Sequence, residues 1–519
     1  MDRISMPEAT IFMNDQRFAP SRIWRAWVVA AALIFLLQLL SLGLSPTVWQ
    51  DEVQIVDAGR LLTDRLSDWT IMYDTDGGRM PFISYLGPFI SEASYRLAGG
   101  SFLGPRIVAL IAACASSALL LAWLRRRGVM GGVALGVALL FLIDPCFDRS
   151  YRGGRADALV FLTAIAACWL LSAYPTGSTK VKTWSLFGAG LLTGILPWLW
   201  TAAVLLLPLL LVELWRVVSP QAGKSLSKWV NALLPLVAGM LITAIGLAVP
   251  VWNMIESAIA ATIHHVRWDV RASNPAAENG PGLLSSVISV VRYSPFLPLL
   301  ALLGGCVRGN RLLLVAAVLV VGVVTGTRFY LYRYLYALPY LAVLAAAGLT
   351  WLGCLPLAGW RRSLMRWGPA VIALGWAVLL TFGVRNYVAL QESPWRDHAS
   401  LVSVLEKDIG RGPLQIYLGA FDLYFVGREL GWQMFRNKFP LSEVQMDQIF
   451  GRCDVVVRVP NEDTPEFQAQ IKRLGFDAGA TLHVGPHAMP AEFQKPRYGG
   501  MAYGPYRVYR RLPATGKAG

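Results

Sequence analysis

WQDEVQIVDAGR, residues Trp49–Arg60, places two adjacent acids just after the first long apolar run of the chain. That run extends from Ile23 to Leu44 and carries one charge, at Arg25. A helix of this length reaches about 33 Å, which is enough to cross the hydrocarbon core of a bilayer. The carboxylates of Asp51 and Glu52 are therefore predicted at the boundary between membrane and water, outside the lipid.

The segment after the acid pair predicts an amphipathic helix that lies along this interface. Its apolar side carries Val53, Val56, Leu62 and Leu66, and its charged side carries Asp57, Arg60 and Asp64. Acids at the start of a helix also interact favourably with the helix dipole. Their position alone therefore leaves a purely structural role open for Asp51 and Glu52.

Composition places the chain among membrane proteins with many spans. Of its 519 residues, 55% are apolar and 15% are charged, and 19 are tryptophan. The net charge of +15 arises mainly in short loops between apolar runs, as the positive-inside rule predicts. This distribution does not indicate nucleic-acid binding. The six cysteines have no metal-like spacing and are predicted to be small core residues.

The alternation of apolar runs and basic loops predicts an α-helical polytopic membrane protein with about eleven transmembrane helices. Residues 1–22 form a cytoplasmic tail, and residues 23–385 form the transmembrane domain, with large outer loops at 45–104 and 252–293. Every Asp and Glu of this domain except Glu213 falls in an outer loop or at its edge. Acids contribute little to membrane orientation, so this one-sided placement independently indicates chemistry or ion binding on the outer face.

The composition changes after Val384, and residues 386–519 are predicted to form a small soluble α/β domain on the outer side. Short buried strands are predicted at 414–418 and 454–459, helices at 401–409 and 464–474, and a closing edge strand at 506–511. The glycines of this segment lack the strand-to-helix setting of a nucleotide-binding loop.

Three polar constellations on the outer side are candidates for chemistry. The first joins Asp51 and Glu52 to Asp74 and Asp76, which lie in the segment YDTDGGRMP, Tyr73–Pro81. A carboxylate near an acceptor hydroxyl or amine can remove its proton without a covalent intermediate. Carboxylates spaced by one residue also suit a divalent cation, and the Asp and Gly residues alone fit a simple turn.

The second constellation is YRGGRAD, Tyr151–Asp157, at the start of the fourth span, with Asp148 shortly before it. Arginines at the membrane edge are costly without an anionic partner, so Arg152 and Arg155 are candidates for binding an anionic ligand. A structural ion pair between Arg155 and Asp157 is the alternative.

The third constellation is RFYLYRYLY, Arg328–Tyr336, at the outer end of a late span. Tyr330 and Arg333 are candidates for binding a phosphate or pyrophosphate. An aromatic belt that anchors the helix explains the tyrosines better than it explains the arginines. His264 and His265 give a weaker signal, since two adjacent histidines do not easily face one ligand and a surface position is the simpler interpretation.

The order and sidedness of these motifs resemble the GT-C glycosyltransferases. The resemblance is carried by the acid pair after the first span, the interfacial helix, the segment around Pro81, and the Arg152–Asp157 segment. Residues Arg328–Pro339 also resemble the family's Arg-Tyr-x-x-x-x-x-Pro segment. Protein O-mannosyltransferases and lipid A aminoarabinose transferases, of the glycosyltransferase family 39 type, are the most similar branches. This chain departs from them at Gly-Gly-Arg-Met-Pro, where many relatives have Lys-Pro-Pro or His-Pro-Pro.

The resemblance implies a glycosyltransferase that takes its sugar from a polyprenyl phosphate and acts by direct displacement. Asp51 would be the catalytic base, and Glu52 would orient the acceptor or the site. Arg152 or Arg155, with Arg333 and Tyr330, would hold the donor phosphate. Asp74, Asp76, Asp148, Asp157, His264 and His265 would be candidates for acceptor or metal binding. No cofactor is required by the resemblance, although some relatives use a divalent cation.

The same resemblance implies partners and a location. The acceptor would be lipid A, another envelope glycan or a protein, and membrane lipids would surround the chain in a bacterial inner membrane. The N-terminus would be cytoplasmic and the C-terminal domain periplasmic. A flippase or transporter of lipid-linked sugars would be expected to place ionisable residues in mid-membrane. An enzyme of the O-antigen ligase type would be expected to use Arg and His of the 252–293 loop.

Overall fold

The computed structural model describes residues 20–64, 68–73, 83–223, 225–256, 259–260, 262–263, 288, 294–305, 307, 309–326, 331–354, 371, 374–376, 378–437, 441–460, 463–485 and 502–512. The helices of the first half are α1 (Pro20–Ser41), α2 (Gln50–Thr63), α3 (Leu86–Leu97), α4 (Leu103–Arg126), α5 (Gly131–Leu142), α6 (Pro145–Arg152), α7 (Asp157–Leu171), α8 (Thr179–Leu199), α9 (Leu207–Ala222) and α10 (Leu226–Ala248).

The second half continues with α11 (Phe296–Gly305), α12 (Arg311–Gly326), α13 (Leu331–Tyr334), α14 (Leu338–Gly353), α15 (Arg385–Gln391), α16 (Ser393–Arg396), α17 (His398–Asp408), α18 (Tyr424–Leu430), α19 (Glu443–Phe450) and α20 (Pro465–Arg473). A π-helical turn at Leu379–Val384 leads into α15. Five strands, β1 (Gln415–Leu418), β2 (Gln433–Phe435), β3 (Val455–Arg458), β4 (Phe476–Leu482) and β5 (Tyr506–Arg511), complete the fold.

By length and composition, six helical segments of the described chain can cross a membrane. A seventh span results if α5 and α6, which meet at a bend of 52°, are counted together. Helix α8 has 21 residues, and α11 and α12 are shorter apolar helices. Seven of the 18 residues of the last predicted span, residues 367–384, lie outside the described residues. The prediction of a polytopic α-helical membrane protein is confirmed.

The bend between α5 and α6 has a local cause in the sequence. Asp144 caps α6, where its carboxylate accepts hydrogen bonds from the backbone N–H groups of Cys146, at 2.9 Å, and Phe147. Pro145 occupies the first position of α6, where its missing N–H costs nothing. The chain therefore stops α5 and starts a second short helix, and this turn directs the polar Arg149–Asp157 segment toward the end of α1.

Pairs of helices in the bundle approach each other closely at glycine positions. A Cβ atom added at Gly190 of α8 would lie 2.1 Å from the carbonyl oxygen of Leu236 in α10. One added at Gly304 of α11 would lie 1.8 Å from the carbonyl oxygen of Leu344 in α14. Such backbone contact is common between helices in membranes, where van der Waals packing replaces the hydrophobic effect as the source of association.

The C-terminal segment forms one five-stranded sheet in the order β2-β1-β3-β5-β4. The first three strands are parallel, and β5 pairs antiparallel with both β3 and β4. The predicted strands and helices of this small α/β unit are present. The expectation that residues 506–511 form an edge strand is wrong, because β5 lies between two strands and β4 forms the edge. Strand β4 was not among the predicted strands, so the sequence analysis had no partner to place on the second side of β5.

The segment between α1 and α4 shares a hydrophobic core with the C-terminal segment. Val53 and Val56 of α2 pack in one cluster with Tyr424 and Phe425 of α18 and Leu401 of α17. Tyr73 also pairs with Asn437 in a parallel bridge that extends the sheet beside β2. Helix α2 was predicted to lie along the membrane interface with a charged side, but Asp57 and Arg60 on that side are buried. The C-terminal α/β unit covers them.

Candidate active site

The two acids in the first turn of α2 have different surroundings. Successive residues of an α-helix are about 100° apart around its axis, so adjacent side chains face different neighbours. The Glu52 side chain is fully buried, whereas 33% of the Asp51 side-chain surface is exposed. The two acids are adjacent in the sequence, but the fold buries one side chain and leaves the other part-exposed.

Glu52 forms a buried ion pair with Arg106, near the start of α4. The Nε and Nη2 atoms of Arg106 each donate a hydrogen bond of 2.8 Å to the carboxylate. Its Nη1 atom donates to the carbonyl oxygens of Leu42, at 2.7 Å, and Pro46, at 2.8 Å. Burial raises the pKa of Glu52, and Arg106 opposes this shift. The pair thus ties the end of α1 and the following turn to the start of α2.

Arg152 occupies a similar position at the end of α1. Its guanidinium donates to the carbonyl oxygens of Ser45 (2.9 Å), Ser41 (2.8 Å) and Gln38 (3.2 Å), and also to the side chains of Ser41 and Gln38. The last carbonyl groups of a helix have no partner within the helix, and a cation there is favourable. Arg152 is 1% exposed. These contacts favour a structural role over the predicted binding of a donor phosphate.

Arg155 instead connects two carboxylates. One of its terminal nitrogens bonds to Oδ2 of Asp51, and its Nε donates to Oδ2 of Asp157 at 2.7 Å. Asp157 also accepts from the hydroxyl groups of Ser150 and Tyr336, each at 2.7 Å. Asp157, held from three sides at the start of α7, therefore fixes the guanidinium that meets Asp51.

The turn before Arg155 requires a glycine. Gly154 has a φ of 62°, in the left-handed region that glycine adopts without strain. A Cβ atom there would also lie 3.2 Å from a carboxylate oxygen of Glu52. The second glycine of the Arg-Gly-Gly-Arg motif thus allows α6 to end directly against the acid pair.

A shallow depression lies beside Asp51. We call it the arginine depression, and its lining residues are Pro46, Trp49, Arg149, Gly153 and Arg155. The guanidinium of Arg149 lies over the Trp49 ring, 5.9 Å from its centroid. Asp51 adjoins the depression through its bond to Arg155. Two guanidinium groups, an indole and a part-exposed carboxylate therefore meet at one surface.

The remaining predicted residues lie elsewhere. Asp148 is buried, where it accepts from Tyr151, at 2.9 Å, and from Gln38, and pairs with Arg385. Arg333 is partly buried in α13, which lies against α6. Asp74, Asp76, His264, His265 and Tyr330 lie outside the described residues. Within the described part of the chain, no group of three His, Cys, Asp or Glu side chains is arranged to hold a metal ion.

Sequence reasoning missed three residues of this site. Arg149 forms an Arg-x-x-Arg-x-x-Arg series with Arg152 and Arg155, and this regular spacing was a usable signal. Tyr336 belongs to the third constellation, although only its neighbours Tyr330 and Arg333 were selected there. Arg106 stands at the start of the second span as the first charge after a long loop, which was a weaker signal.

No protein-family model matches the chain, and no curated protein matches it. Solved structures do match. The crystal structure of ArnT from Cupriavidus metallidurans bound to undecaprenyl phosphate has a TM-score of 0.63 at 12% identity, over 94% of this chain and 98% of that one. The apo structure of the same protein gives a TM-score of 0.61 at 13% identity, over the same shares.

The arabinofuranosyltransferase AftD from Mycobacteria, solved by electron cryomicroscopy, has a TM-score of 0.53 at 16% identity. The match covers 94% of this chain and 40% of AftD. The chain therefore shares the fold of these two proteins, with a bundle of membrane helices, an acid-bearing helix after the first span and a C-terminal α/β unit. The predicted resemblance is confirmed at the level of the fold.

Proposed function

We propose that this protein is a membrane glycosyltransferase with Asp51 as its catalytic base. The observation that carries the proposal is the contrast within the acid pair. Asp51 is part-exposed beside the arginine depression, whereas Glu52 is buried and held by Arg106. A base must reach the proton that it removes, and of the two acids only Asp51 has a surface open to a substrate.

The proposed reaction is a single displacement. The acceptor's hydroxyl or amine attacks the anomeric carbon of the sugar, and the bond from that carbon to the phosphate oxygen breaks. The bonding electron pair leaves with the phosphate, and the acceptor's proton passes to Asp51. The donor phosphate gains negative charge as the bond breaks, so cations fixed beside it stabilise the transition state more than the ground state.

Arg149 and Arg155 supply these cations in the proposal. Both line the depression, and a guanidinium donates two parallel hydrogen bonds to phosphate. Arg155 also bonds to the carboxylate of Asp51. A donor phosphate that takes over this bond would leave Asp51 available to the acceptor, while Asp157 continues to hold Arg155 in place.

The proposed donor is a sugar linked to a polyprenyl phosphate. Support comes from the fold shared with ArnT, whose crystal structure contains undecaprenyl phosphate. Support also comes from the position of the depression at the end of α1, where a phosphate on a membrane-embedded chain can reach it. The proposed acceptor is lipid A, another envelope glycan or a protein. The reaction and the C-terminal unit are both proposed for the outer face of a bacterial inner membrane.

The test is transfer by the purified chain in nanodiscs, with undecaprenyl-phosphate sugars as donors and a panel of lipid A, glycan and peptide acceptors. Asp51→Asn should abolish the transfer. The matched control is Glu406→Gln, which removes an exposed carboxylate paired with Arg411 on the C-terminal unit. Mass spectrometry of envelope glycolipids from cells with and without the protein would identify the acceptor. Movement of lipid-linked sugar across the membrane without any transfer would instead identify a flippase.

A further inference from the structure

The three consecutive arginines at the end of α4 have different partners. Arg127 bonds to Glu213 of α9, which also accepts from Trp123, at 2.9 Å, and Arg216. This buried cluster joins α4 to α9. Arg125 and Arg126 are exposed, and the ion pairs recorded among the described residues involve neither of them. One arginine of the run is therefore structural, and the other two carry charge on the surface.

Arg125 and Arg126 border a groove between three helices. Its other lining residues are Ile23 and Trp24 of α1, Leu121 and Ala122 of α4, and Trp169 of α7. The guanidinium of Arg126 lies 4.1 Å from the centroid of the Trp169 ring and donates a bond of 2.9 Å to the Trp169 carbonyl. Since a guanidinium has five N–H donors, this contact orients Arg126 and leaves donors for an anion. The groove thus combines an apolar floor, two indoles and two cations.

The groove lies at the end of the bundle opposite the arginine depression. It contacts the beginning of α1, whereas Arg106 and Arg152 hold the end of α1. Only 17% of the apolar stretch of α1 is buried inside the protein, against 56% for the apolar stretch of α4 and 50% for that of α7. Within the described part of the chain, most of the α1 surface is therefore not covered by protein.

We propose that this groove binds an anionic phospholipid of the leaflet at that end of the bundle. The phosphate would accept hydrogen bonds from Arg125 and Arg126, and an acyl chain would lie along the exposed faces of Trp24 and Ala122. Indoles suit the headgroup level of a bilayer, and basic pockets between membrane helices favour anionic headgroups. The lipid would fill the space between α1 and α4 and so brace the helix whose other end supports the acid pair.

The test is native mass spectrometry of the full-length protein in detergent, titrated with phosphatidylglycerol or with phosphatidylcholine. We expect tighter binding of phosphatidylglycerol, and about thirtyfold weaker binding by the double variant Arg125→Gln/Arg126→Gln, because each of the two arginines near a membrane surface adds on the order of 1 kcal/mol. The matched control is Lys180→Gln/Lys228→Gln, which removes two exposed charges at the same end outside the groove. The control should bind like the unaltered protein.

A second measurement separates this site from general charge effects. Phosphatidylglycerol should raise the thermal unfolding midpoint of the unaltered protein and of the lysine variant, but not that of the arginine variant. Equal affinity for the two lipids would show that the groove does not distinguish lipids by their headgroup charge, and the proposal would be wrong. Equal loss in both double variants would also overturn it, because the effect would then come from net charge alone.

Discussion

Two regions at the end of α1 contain the same residue types, arginines and an acid, but differ in their exposure to solvent. In the first, the buried junction, Arg106 and Arg152 bind Glu52 and the last carbonyl groups of α1. In the second, the arginine depression, Arg149 and Arg155 border a surface, and Arg155 bonds to the part-exposed Asp51. Only two residues separate Arg152 from Arg155, yet the two arginines belong to different regions.

The difference lies in what a ligand could replace. Displacing Arg152 would leave helix-end carbonyl groups buried without a partner, which costs free energy. Displacing Asp51 from Arg155 exposes a carboxylate that water can already reach. Arginine at a membrane edge is therefore not by itself a sign of a ligand site, and the partner and its exposure decide which role is open.

Replacing Asp51 with Asn should have the largest effect on catalysis. A positioned base contributes about a hundredfold to ten-thousandfold in rate, so transfer should fall at least a hundredfold. The variant should keep a normal unfolding midpoint, because the side chain is part-exposed. The measurement is turnover of purified protein beside thermal unfolding. Normal turnover would remove Asp51 as the base and end the contrast between the two regions.

Replacing Glu52 with Gln should act on stability. Arg106 would remain buried without its counter-charge, and the free energy of unfolding should fall by about 3 kcal/mol. Denaturant or thermal unfolding in detergent measures this. The double variant Glu52→Leu/Arg106→Met should recover part of the loss, since it leaves no unpaired charge. A Glu52→Gln protein that is stable but inactive would instead place Glu52 in the chemistry.

Comparing Arg155→Lys with Arg152→Lys sharpens the distinction between the regions. Lysine keeps the charge but loses the planar fork, so Arg155→Lys should lower donor-dependent turnover roughly tenfold. Arg152→Lys should mainly lower the unfolding midpoint. Titrating donor and acceptor separately with each variant measures this. If Arg152→Lys raised the apparent constant for the donor as much as Arg155→Lys did, both arginines would belong to the donor site.

Replacing Tyr336 with Phe should have the smallest effect. It removes one hydrogen bond to Asp157, worth about 1 kcal/mol, and leaves Ser150 and Arg155 bound to that carboxylate. Turnover should fall a few-fold, with the acceptor's apparent constant unchanged. The control is Tyr340→Phe, whose hydroxyl donates to the carbonyl oxygen of Leu205 and accepts from the Leu209 N–H, away from the site. Equal losses in both variants would indicate a general packing effect.

The site could be predicted in part from the sequence because its residues fall in two short segments. The acids follow the first apolar run directly, and the Arg-Gly-Gly-Arg-Ala-Asp segment opens α7, so their sidedness could be read from hydropathy. Their partners could not be read in this way. Arg106 pairs with Glu52 across 54 positions, and Tyr336 reaches Asp157 across 179. Contacts over such separations depend on helix packing, which leaves no local pattern.

The C-terminal segment shows the same limit. Its strands and helices follow from local periodicity, but the order of the strands and the burial of α2 beneath α18 do not. Tyr424 of α18 donates a hydrogen bond of 3.1 Å to Asp57, and Arg428 binds Glu92 of α3 at 2.8 Å. Sequence analysis placed Asp57 on a charged helix side at the membrane surface. Its burial depends on a partner more than 360 positions later.

The sequence by itself determined the polytopic helical class of the protein and the segments that hold the candidate site. These properties follow from hydropathy and charge, which act on each segment almost independently of the rest of the chain. Only the tertiary structure decided that Asp51 is part-exposed and Glu52 is buried. It also decided that Arg155 bonds to the carboxylate of Asp51, while Arg152 bonds to backbone carbonyl groups. Neighbouring residues on a helix face different directions, so their roles depend on which distant elements pack against each face.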